Sequence, residues 1–309
     1  MHHQIDVTLP ADATDEVLGD LEKHDGVLAV TLQRGGSVKP AGDVLSLHVL
    51  NRSIDSVLTT VERARDFGPV TVATVRTESV VTTGAQDVIE DDADESPWEE
   101  FERTLRHHGR TSVNYFALMA LGGAIAVAGL LSPSVPQALA LAASAIIAPA
   151  FEPVAKFGVA LLRGSLYRTR RALVAMLGGY LVLAAAGGVA FLVLRALGLA
   201  KPGVLASSEG VHMVVDPTAA DWLVGAGGAL AGLVIVTSFR EAVLAGALIA
   251  LALVPAAALV GVGVVSGDWA LALGGLKRTA ADMGLVVVLG GAVVLIKDRF
   301  IHHGRRPLA

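Results

Sequence analysis

The stretch AASAIIAPAFEPVAKFGVALLRGSL, at residues 142–166, is apolar enough for a membrane helix but is interrupted by Pro149 and Pro153. A second stretch, AGALIALALVPAAALVGVGVVSGDW at residues 245–269, begins 103 positions later and contains Pro255. Aligned at this offset, the two share identical residues at 142/245, 146/249, 155/258, 158/261, 159/262 and 164/267. Paired, interrupted hydrophobic helices are typical of transporters whose ligand site lies near the bilayer midplane. The alternative is that helices rich in Ala, Gly and Val resemble one another through composition alone.

The composition indicates a membrane protein with a soluble appendage. Hydrophobic residues make up 53% of the 309 residues, and the mean hydropathy is +0.61. Residues 1–110 have the composition of a soluble domain, whereas residues 113–296 are nearly continuously apolar. The first apolar run begins after Thr111, too late for a cleavable signal peptide, so we expect the chain to enter the membrane through its own spans. The net charge of −5 argues against a nucleic-acid partner, and the lack of cysteine excludes disulfides and thiolate metal sites.

Hydrophobic runs of about 20 residues, the length that crosses a bilayer, predict six spans. They are placed at residues 113–131, 137–162, 172–194, 219–236, 242–265 and 279–296. The 103-residue offset maps the first three spans onto the last three, and three is an odd number. The second copy must therefore enter from the opposite side, which predicts a 3+3 inverted repeat.

The distribution of Lys and Arg predicts that both termini are cytoplasmic, with the protein in the cell membrane. Twelve of these residues fall in the segments assigned to the inside and four in those assigned to the outside. Lys277 and Arg278 fit the outside assignment badly and are interpreted as residues buried between helices.

The soluble part, residues 1–82, is predicted to be a ferredoxin-like α+β domain. Strand periodicity at residues 5–9, 27–32, 44–50 and 70–75 alternates with two helices, the first capped by Asp12 or Thr14, in the order β-α-β-β-α-β. A loop is predicted at residues 35–42, and His24 and His48 are interpreted as isolated surface or sheet-face residues. Many unrelated domains share this order, so it indicates no activity.

Three further segments complete the predicted organisation. Residues 83–97 are acidic and aperiodic, and are interpreted as a solvated linker, with a divalent-cation site as the alternative. Residues 98–111 are predicted to form an amphipathic helix at the cytoplasmic membrane surface, residues 112–298 the membrane domain and residues 299–309 a cytoplasmic tail.

The two proline-containing motifs resemble a known family. SAIIAPAFEPV at residues 144–154, followed by GSLYRTRRAL, and ALIALALVPAAALVGVGVVSGDWALALGG at residues 247–275 are similar to the two signatures of the membrane family called domain of unknown function 389. The resemblance covers residues 112–298 and implies a fold but no activity. This chain departs from the family pattern at Pro255-Ala256, where two prolines are usual, at Glu152, where a small residue is common, and at Asp282, which corresponds to an asparagine.

The predicted site for a substrate or ion lies at the interrupted helices. Proline within a membrane helix frees a carbonyl group, and ionisable residues at such depth mark ion or substrate paths by default. We predict that the second span unwinds at residues 150–152, between Pro149 and Pro153, and that the fifth is broken at Pro255. Alternatively, Glu152 and Lys156 form only a structural pair and Asp282 is a helix cap. The predicted site residues are Pro149, Phe151, Glu152, Pro153, Lys156, Pro255 and Asp282.

These features favour a transporter of a small solute or ion. An ion channel built on the same repeat is one alternative, and a membrane-anchored sensor whose soluble domain binds a regulatory ligand is the other. No nucleophile motif or His/Glu metal set lies in the spans, so an enzyme, a cofactor and a metal site are not expected. The predicted partners are membrane lipids, the transported solute and other copies of the chain in a homo-oligomer, because small residues offer close-packing surfaces.

Overall fold

The computed structural model describes residues 2–77, 111–131, 136–162, 166–200, 205, 208–238 and 245–300. The chain separates into an N-terminal unit and a helical unit, each compact in itself. The predicted acidic linker at 83–97, nearly all of the predicted amphipathic helix at 98–111 and most of the predicted tail lie outside the described residues.

The N-terminal unit contains four strands and two helices in the predicted β-α-β-β-α-β order. The elements are β1 (His2–Leu9), α1 (Ala11–Leu21), β2 (Val27–Val38), β3 (Ala41–Leu50), α2 (Ile54–Glu62) and β4 (Thr71–Thr77). All strand pairs are antiparallel, and the strand order across the sheet is β2-β3-β1-β4. This element order is that of the ferredoxin-like fold.

One face of this sheet is buried beneath the two helices. Alternate residues of β1 and β3 point to that face, and they pack against apolar residues of α1 and α2. The fully buried members from the strands are Ile5, Val7, Leu9, Leu45, Leu47 and Val49. The intervening residues, including Asp6, Ser46 and His48, are partly exposed on the other face, so the sheet has the apolar-in, polar-out alternation of an antiparallel sheet with one solvated face.

Two local predictions for this domain were wrong. The loop predicted at residues 35–42 is instead a hairpin, because β2 continues to Val38 and a two-residue turn leads into β3. Gly35 makes this extension possible with a φ of 63°, a conformation that glycine adopts without steric cost. The residue preceding α1 is Pro10, and Thr14 lies inside the helix, where its hydroxyl donates a 2.8 Å hydrogen bond to Asp43.

The second unit consists of helices, three of which are long and apolar enough to cross a membrane. They are α3 (Val113–Leu131), α6 (Leu166–Ala196) and α10, whose apolar part is Trp269–Lys297 of Trp269–Phe300. The number rises to five if each of two bent pairs is one span. These pairs are α4 (Gln137–Ile147) with α5 (Phe151–Leu162), bent by 49°, and α7 (Glu209–Val215) with α8 (Ala219–Thr237), bent by 71°.

The remaining helix, α9 (Ala245–Ser266), lies at the centre of the helical unit. It contacts α3, α4, α5, α6, α7 and α10. Its residues 253–259 are all buried, and Gly261 approaches α6 so closely that a Cβ atom there would overlap the carbonyl oxygen of Ala184. Small residues at such crossings let helix backbones come into contact in a membrane.

The break predicted at Pro255 was wrong, because α9 continues through this residue. Proline in a helix removes one N–H donor and crowds the preceding turn, which weakens the helix. Here every residue from 253 to 259 packs against neighbouring helices. Neighbouring helices are known to stabilise proline inside membrane helices, so the tertiary packing maintains α9.

The structure also changes two predicted boundaries. The region between the predicted third and fourth spans contains a further helix, α7, whose first turn is capped by the Ser208 side chain. The last span, predicted at 279–296, begins ten residues earlier, at Trp269. Lys277 and Arg278 are therefore inside α10. As predicted, Arg278 is buried, with 6% of its surface exposed, whereas Lys277 is exposed.

Candidate functional site

The second span is broken as predicted, but the break lies at residues 148–150, between α4 and α5, because Phe151 and Glu152 already belong to α5. Ala148 has an extended conformation, with φ −78° and ψ 120°, as expected for a residue before proline. The chain then turns within three residues, with the N–H of Ala150 donating to the carbonyl of Ala148 at 2.7 Å. Pro153 lies in the first turn of α5, where a helix has no intrahelical partner for its N–H groups. The prolines thus fit the break.

Tyr180, on α6, holds the break in place from the side. Its hydroxyl is fully inside the helical unit and donates a 2.9 Å hydrogen bond to the carbonyl of Ala150. Tyr115 on α3 makes a comparable bond to Ala175, within α6, at 3.2 Å. Phe151, the first residue of α5, is 1% exposed. The break is therefore enclosed by protein, which is the condition under which a membrane tolerates non-helical backbone.

Glu152 and Lys156 lie one helical turn apart on α5, and both are partly buried. Both side chains have interaction partners in the structure. The Glu152 carboxylate is within electrostatic reach of the Tyr180 and Tyr115 hydroxyls. The predicted pairing of Glu152 with Lys156 stays a prediction.

The most unusual polar feature of the helical unit is an ion pair between Arg278 and Asp282 on α10. The Nε of Arg278 donates to Oδ2 of Asp282 at 2.8 Å, and their side chains are 5% and 1% exposed. The guanidinium carbon lies 4.5 Å from the centre of the Trp222 ring, on α8. Two further atoms of the pair, Arg278 Nη1 and Asp282 Oδ1, are buried without a hydrogen-bond partner among the described residues.

The pair lies deep within the apolar part of α10, Trp269–Lys297. Asp282 is 13 residues after Trp269 and 15 before Lys297, and at a rise of about 1.5 Å per residue it is about 20 Å from each end. This position contradicts the alternative of a helix cap. The neighbouring face of α8 has Gly225, where a Cβ atom would be 3.8 Å from Asp282 Oδ1 and 3.9 Å from Arg278 Nη2. We call Trp222, Gly225, Arg278 and Asp282 together the buried-pair site.

Tyr180 connects the buried-pair site with the helix break. The carboxylates of Glu152 and Asp282 both lie within electrostatic reach of its hydroxyl. Helix α5, which carries Glu152, packs directly against α10. The two acids that the sequence singled out, although 130 residues apart, are therefore brought into one region of the helical unit.

Pro255 contributes packing next to this region. Its neighbour Ala256 is buried, and the Ala256 carbonyl lies 2.6 Å from the position that a Cβ atom on Gly275 would occupy. Gly275 is three residues before Arg278 on α10. The proline thus lies in the part of α9 that supports the buried pair, and the backbone there remains helical.

Four residues in this region were not predicted as site residues: Tyr180, Trp222, Gly225 and Arg278. Arg278 had one signal in the sequence, since its charge fitted poorly with the predicted topology. Trp222 and Tyr180 had none, because an aromatic residue near a span end or in a span is ordinary. Their roles depend on which helices become neighbours. Within the part of the chain that the structure describes, no group of three or more His, Cys, Asp or Glu side chains could hold a metal ion.

Comparison with known proteins gave one match. The family model described as Domain of unknown function (DUF389) matches residues 145–288, which include the helix break, α9 and the buried pair. This confirms the resemblance of the two proline-containing motifs to that family. The chain matches no curated protein and no solved structure.

Proposed function

We propose that this chain, whose residues 145–288 belong to the family of domain of unknown function 389, carries a small solute or ion across the cell membrane through the buried-pair site. The observation that carries the proposal is the Arg278–Asp282 pair, with one unpartnered donor and one unpartnered acceptor about midway along a spanning helix. Charged residues at such depth are costly and by default mark ion or substrate pathways.

In this proposal the chain crosses the membrane six times. Helices α3, α6 and α10 supply three, the bent pair α4–α5 and helix α8 supply two, and α9 the sixth. Their order supports the 3+3 inverted repeat, in which α4–α5 corresponds to α9. Both sit beside α10, since α5 and α9 pack against it. The N- and C-termini are cytoplasmic in this arrangement, as the Lys and Arg distribution favours.

A transporter accounts for the site better than an open channel or an anchor. The two charged side chains are almost completely shielded from solvent. This shielding suits a site that is occluded between two access states, whereas a conducting pore would leave its charged lining hydrated. An anchor for a sensory domain requires neither a buried ion pair nor a helix break enclosed by tyrosines. The soluble domain then has an accessory role, and the site moves a ligand without transforming it.

The test is a flux measurement on purified protein in liposomes. Osmotic swelling, followed by light scattering, reports the entry of isosmotic sodium chloride, ammonium formate, glycine, lysine hydrochloride or glycerol. We expect saturable entry of one of these classes, at least tenfold slower with Asp282→Asn and reduced with Glu152→Gln. The matched control is Lys277→Gln, which removes an exposed charge next to Arg278 and should leave the rate unchanged.

The contradicting results differ in meaning. Entry that does not saturate and that persists in Asp282→Asn would indicate a channel that does not use the buried pair. Well-folded protein that moves none of the panel would contradict the transport proposal and favour the sensor alternative.

A further inference from the structure

The buried pair uses only part of the hydrogen-bonding capacity of its two side chains. Arg278 contributes Nε to the bond with Asp282, while Nη1 is buried without a partner, and Asp282 likewise has a buried, unpartnered Oδ1. A guanidinium group presents its N–H donors in a planar fork that fits two oxygens of a carboxylate. The edge that contains the unpartnered Nη1 is formed by Nη1 and Nη2, and it is available to an anion while Asp282 occupies Nε.

Trp222 restricts how a ligand can reach this edge. Its ring lies against the guanidinium group at 4.5 Å, so one face of the plane is covered. On the side of α8, Gly225 has no side chain. A Cβ atom at this position would contact both Oδ1 of Asp282 and Nη2 of Arg278. A ligand that approaches in the guanidinium plane and past Gly225 must be small, and a planar oxyanion fits the fork best.

We propose that the buried pair is a proton-coupled site for a small monovalent oxyanion such as a monocarboxylate, in which the anion binds to the Nη1–Nη2 edge of Arg278 and Asp282 takes up a proton. This inference rests on the proposed function, because it assigns the substrate class of the same site. In the exchange, a proton binds to the unpartnered Oδ1 of Asp282, and the bond from Nε to this side chain is no longer assisted by a negative charge. The incoming anion then accepts hydrogen bonds from Nη1 and Nη2. Release reverses both steps, and no bond other than the O–H bond is made or broken.

Charge balance explains why the two ligands move together. The empty site, with Arg278 positive and Asp282 negative, is neutral, and so is the loaded site, with Asp282 protonated and the anion beside Arg278. Protonation without an anion leaves an uncompensated buried cation, and an anion without a proton places two negative charges against one positive charge. Both states are costly in an interior of low dielectric constant. One proton per anion follows, and transport carries no net charge.

The surrounding charged groups do not supply a substitute for Asp282. Two groups interact electrostatically with the pair: Tyr180 on α6 with Asp282, and Asp221 on α8 with Arg278. Tyr180 also interacts with Glu152 on α5. Lys156 lies on α5, and Glu209 and His212 of α7 are exposed. The described part of α9 has no ionisable residue. Among the described residues, Asp282 is the one that bonds to the guanidinium group, so it is the carboxylate whose negative charge an arriving anion must replace.

Trp222 provides a binding readout that does not depend on transport. The chain has three tryptophans, and Trp98→Phe with Trp269→Phe leaves Trp222 as the only emitter. Sodium formate is titrated against this variant in detergent and in nanodiscs of phosphatidylcholine, at a series of pH values. The lipid-free arm and the uncharged-headgroup arm exclude an anionic lipid as the bound group.

We expect formate to change the Trp222 emission with an apparent Kd that rises about tenfold for each pH unit above the protonation range of Asp282, because one proton accompanies each anion. Asp282→Asn mimics the protonated acid, so binding should become independent of pH and formate should raise the Tm of this variant. Arg278→Gln should abolish binding, and the exposed Lys277→Gln should bind as the parent does.

Four results would overturn the inference: absent formate binding, formate binding that does not depend on pH in the parent, binding that persists in Arg278→Gln, or an Asp282→Asn variant that formate does not stabilise. The transport proposal fails separately. If formate does not bind but the liposomes take up a cation or a neutral solute through an Asp282-dependent route, transport stands and the anion assignment falls. If formate binds with the expected pH dependence and nothing is transported, the site stands and transport falls.

Discussion

The hydroxyl of Tyr180 donates a 2.9 Å hydrogen bond to the carbonyl of Ala150, and this bond ties α6 to the break between α4 and α5. The same hydroxyl is within electrostatic reach of Glu152 and Asp282. The break and the carboxylate of the buried pair therefore lie near the same tyrosine of α6.

Removal of this bond should affect activity more than stability. Tyr180→Phe deletes one buried hydrogen bond, which contributes about 1 kcal/mol to the free energy of unfolding. Tyr115→Phe is the matched control, because it removes a similar hydrogen bond, 3.2 Å long, to the carbonyl of Ala175 in the regular part of α6. We expect comparable losses of Tm in detergent and a fall in solute entry for Tyr180→Phe alone. Equal entry rates in the two variants would show that the break does not depend on Tyr180.

The two members of the buried pair should be strongly coupled in stability. Asp282→Leu alone leaves a buried cation without its partner, and Arg278→Met alone leaves a buried anion, each at a cost of about 3–5 kcal/mol. The double variant removes both charges and replaces them with apolar groups, a change that is often neutral or stabilising. Thermal unfolding of the four proteins of this double-mutant cycle checks the expectation. Additive losses would mean that the two side chains do not form the 2.8 Å pair.

Residue 225 should control access to the pair. A Cβ atom there would make ordinary contacts of 3.8 Å and 3.9 Å with the pair, so Gly225→Ala should fold and keep most of its solute entry. Gly225→Leu fills the space over the two side chains and should block entry. The control is Gly227→Leu, two residues further along the same helix, where nothing lies within 4 Å. Block by both variants, or by neither, would contradict a path past Gly225.

In the N-terminal domain, Asp43 should make the β2–β3 hairpin sensitive to acid. The N–H of Gly35, at 2.7 Å, and the hydroxyl of Thr14 lower the pKa of Asp43 from its ordinary value of 3.8, with a smaller contribution from Arg34 and against the effect of burial. A lowered pKa in the folded state means that the stabilisation is complete above the unfolded-state pKa and is lost as the pH falls through the folded-state value.

Hydrogen exchange on the full chain measures this dependence at residues 33–43. We expect protection that weakens as the pH falls below the ordinary pKa of Asp43, and weaker protection at neutral pH with Asp43→Asn or Thr14→Val. Thr59→Val is the control, because the Thr59 hydroxyl bonds only to the carbonyl of Asp55 on the exposed face of α2. Acid-insensitive protection in the parent protein would contradict the assigned role of Asp43.

The sequence was sufficient where local chemistry determines the structure. Period-two alternation identified the strands, and Pro149 identified the break, because proline restricts its own backbone and that of the preceding residue whatever surrounds it. Pro255 shows the limit of this reasoning. This proline remains inside a helix, and residues 253–259 around it are all buried. Packing, which depends on distant parts of the chain, decided between the two outcomes.

The candidate site, like the fold, could be predicted from sequence only where local chemistry determines the structure. Burial of Asp282 followed from its position in an apolar run, and burial of Arg278 from its poor fit to the outside segment, but the last span was predicted to begin ten residues too late, so the two were not recognised as a pair on one helix. The pair spaced one turn apart compensates its own charge, so the helix can pass through the bilayer with both residues inside. Trp222 and Tyr180 come from α8 and α6, and only the arrangement of the helices brings them to α10.

The most direct test of the central claim is solute entry into liposomes that contain the Arg278→Met/Asp282→Leu double variant, beside the parent protein and Lys277→Gln. The double variant is the one expected to retain the parent's Tm while lacking both charges, so folding and function are separated. The account predicts loss of saturable entry in the double variant and parental entry in Lys277→Gln. Saturable entry at the parental rate in a double variant of parental Tm would contradict the assignment of the buried pair as the transport site.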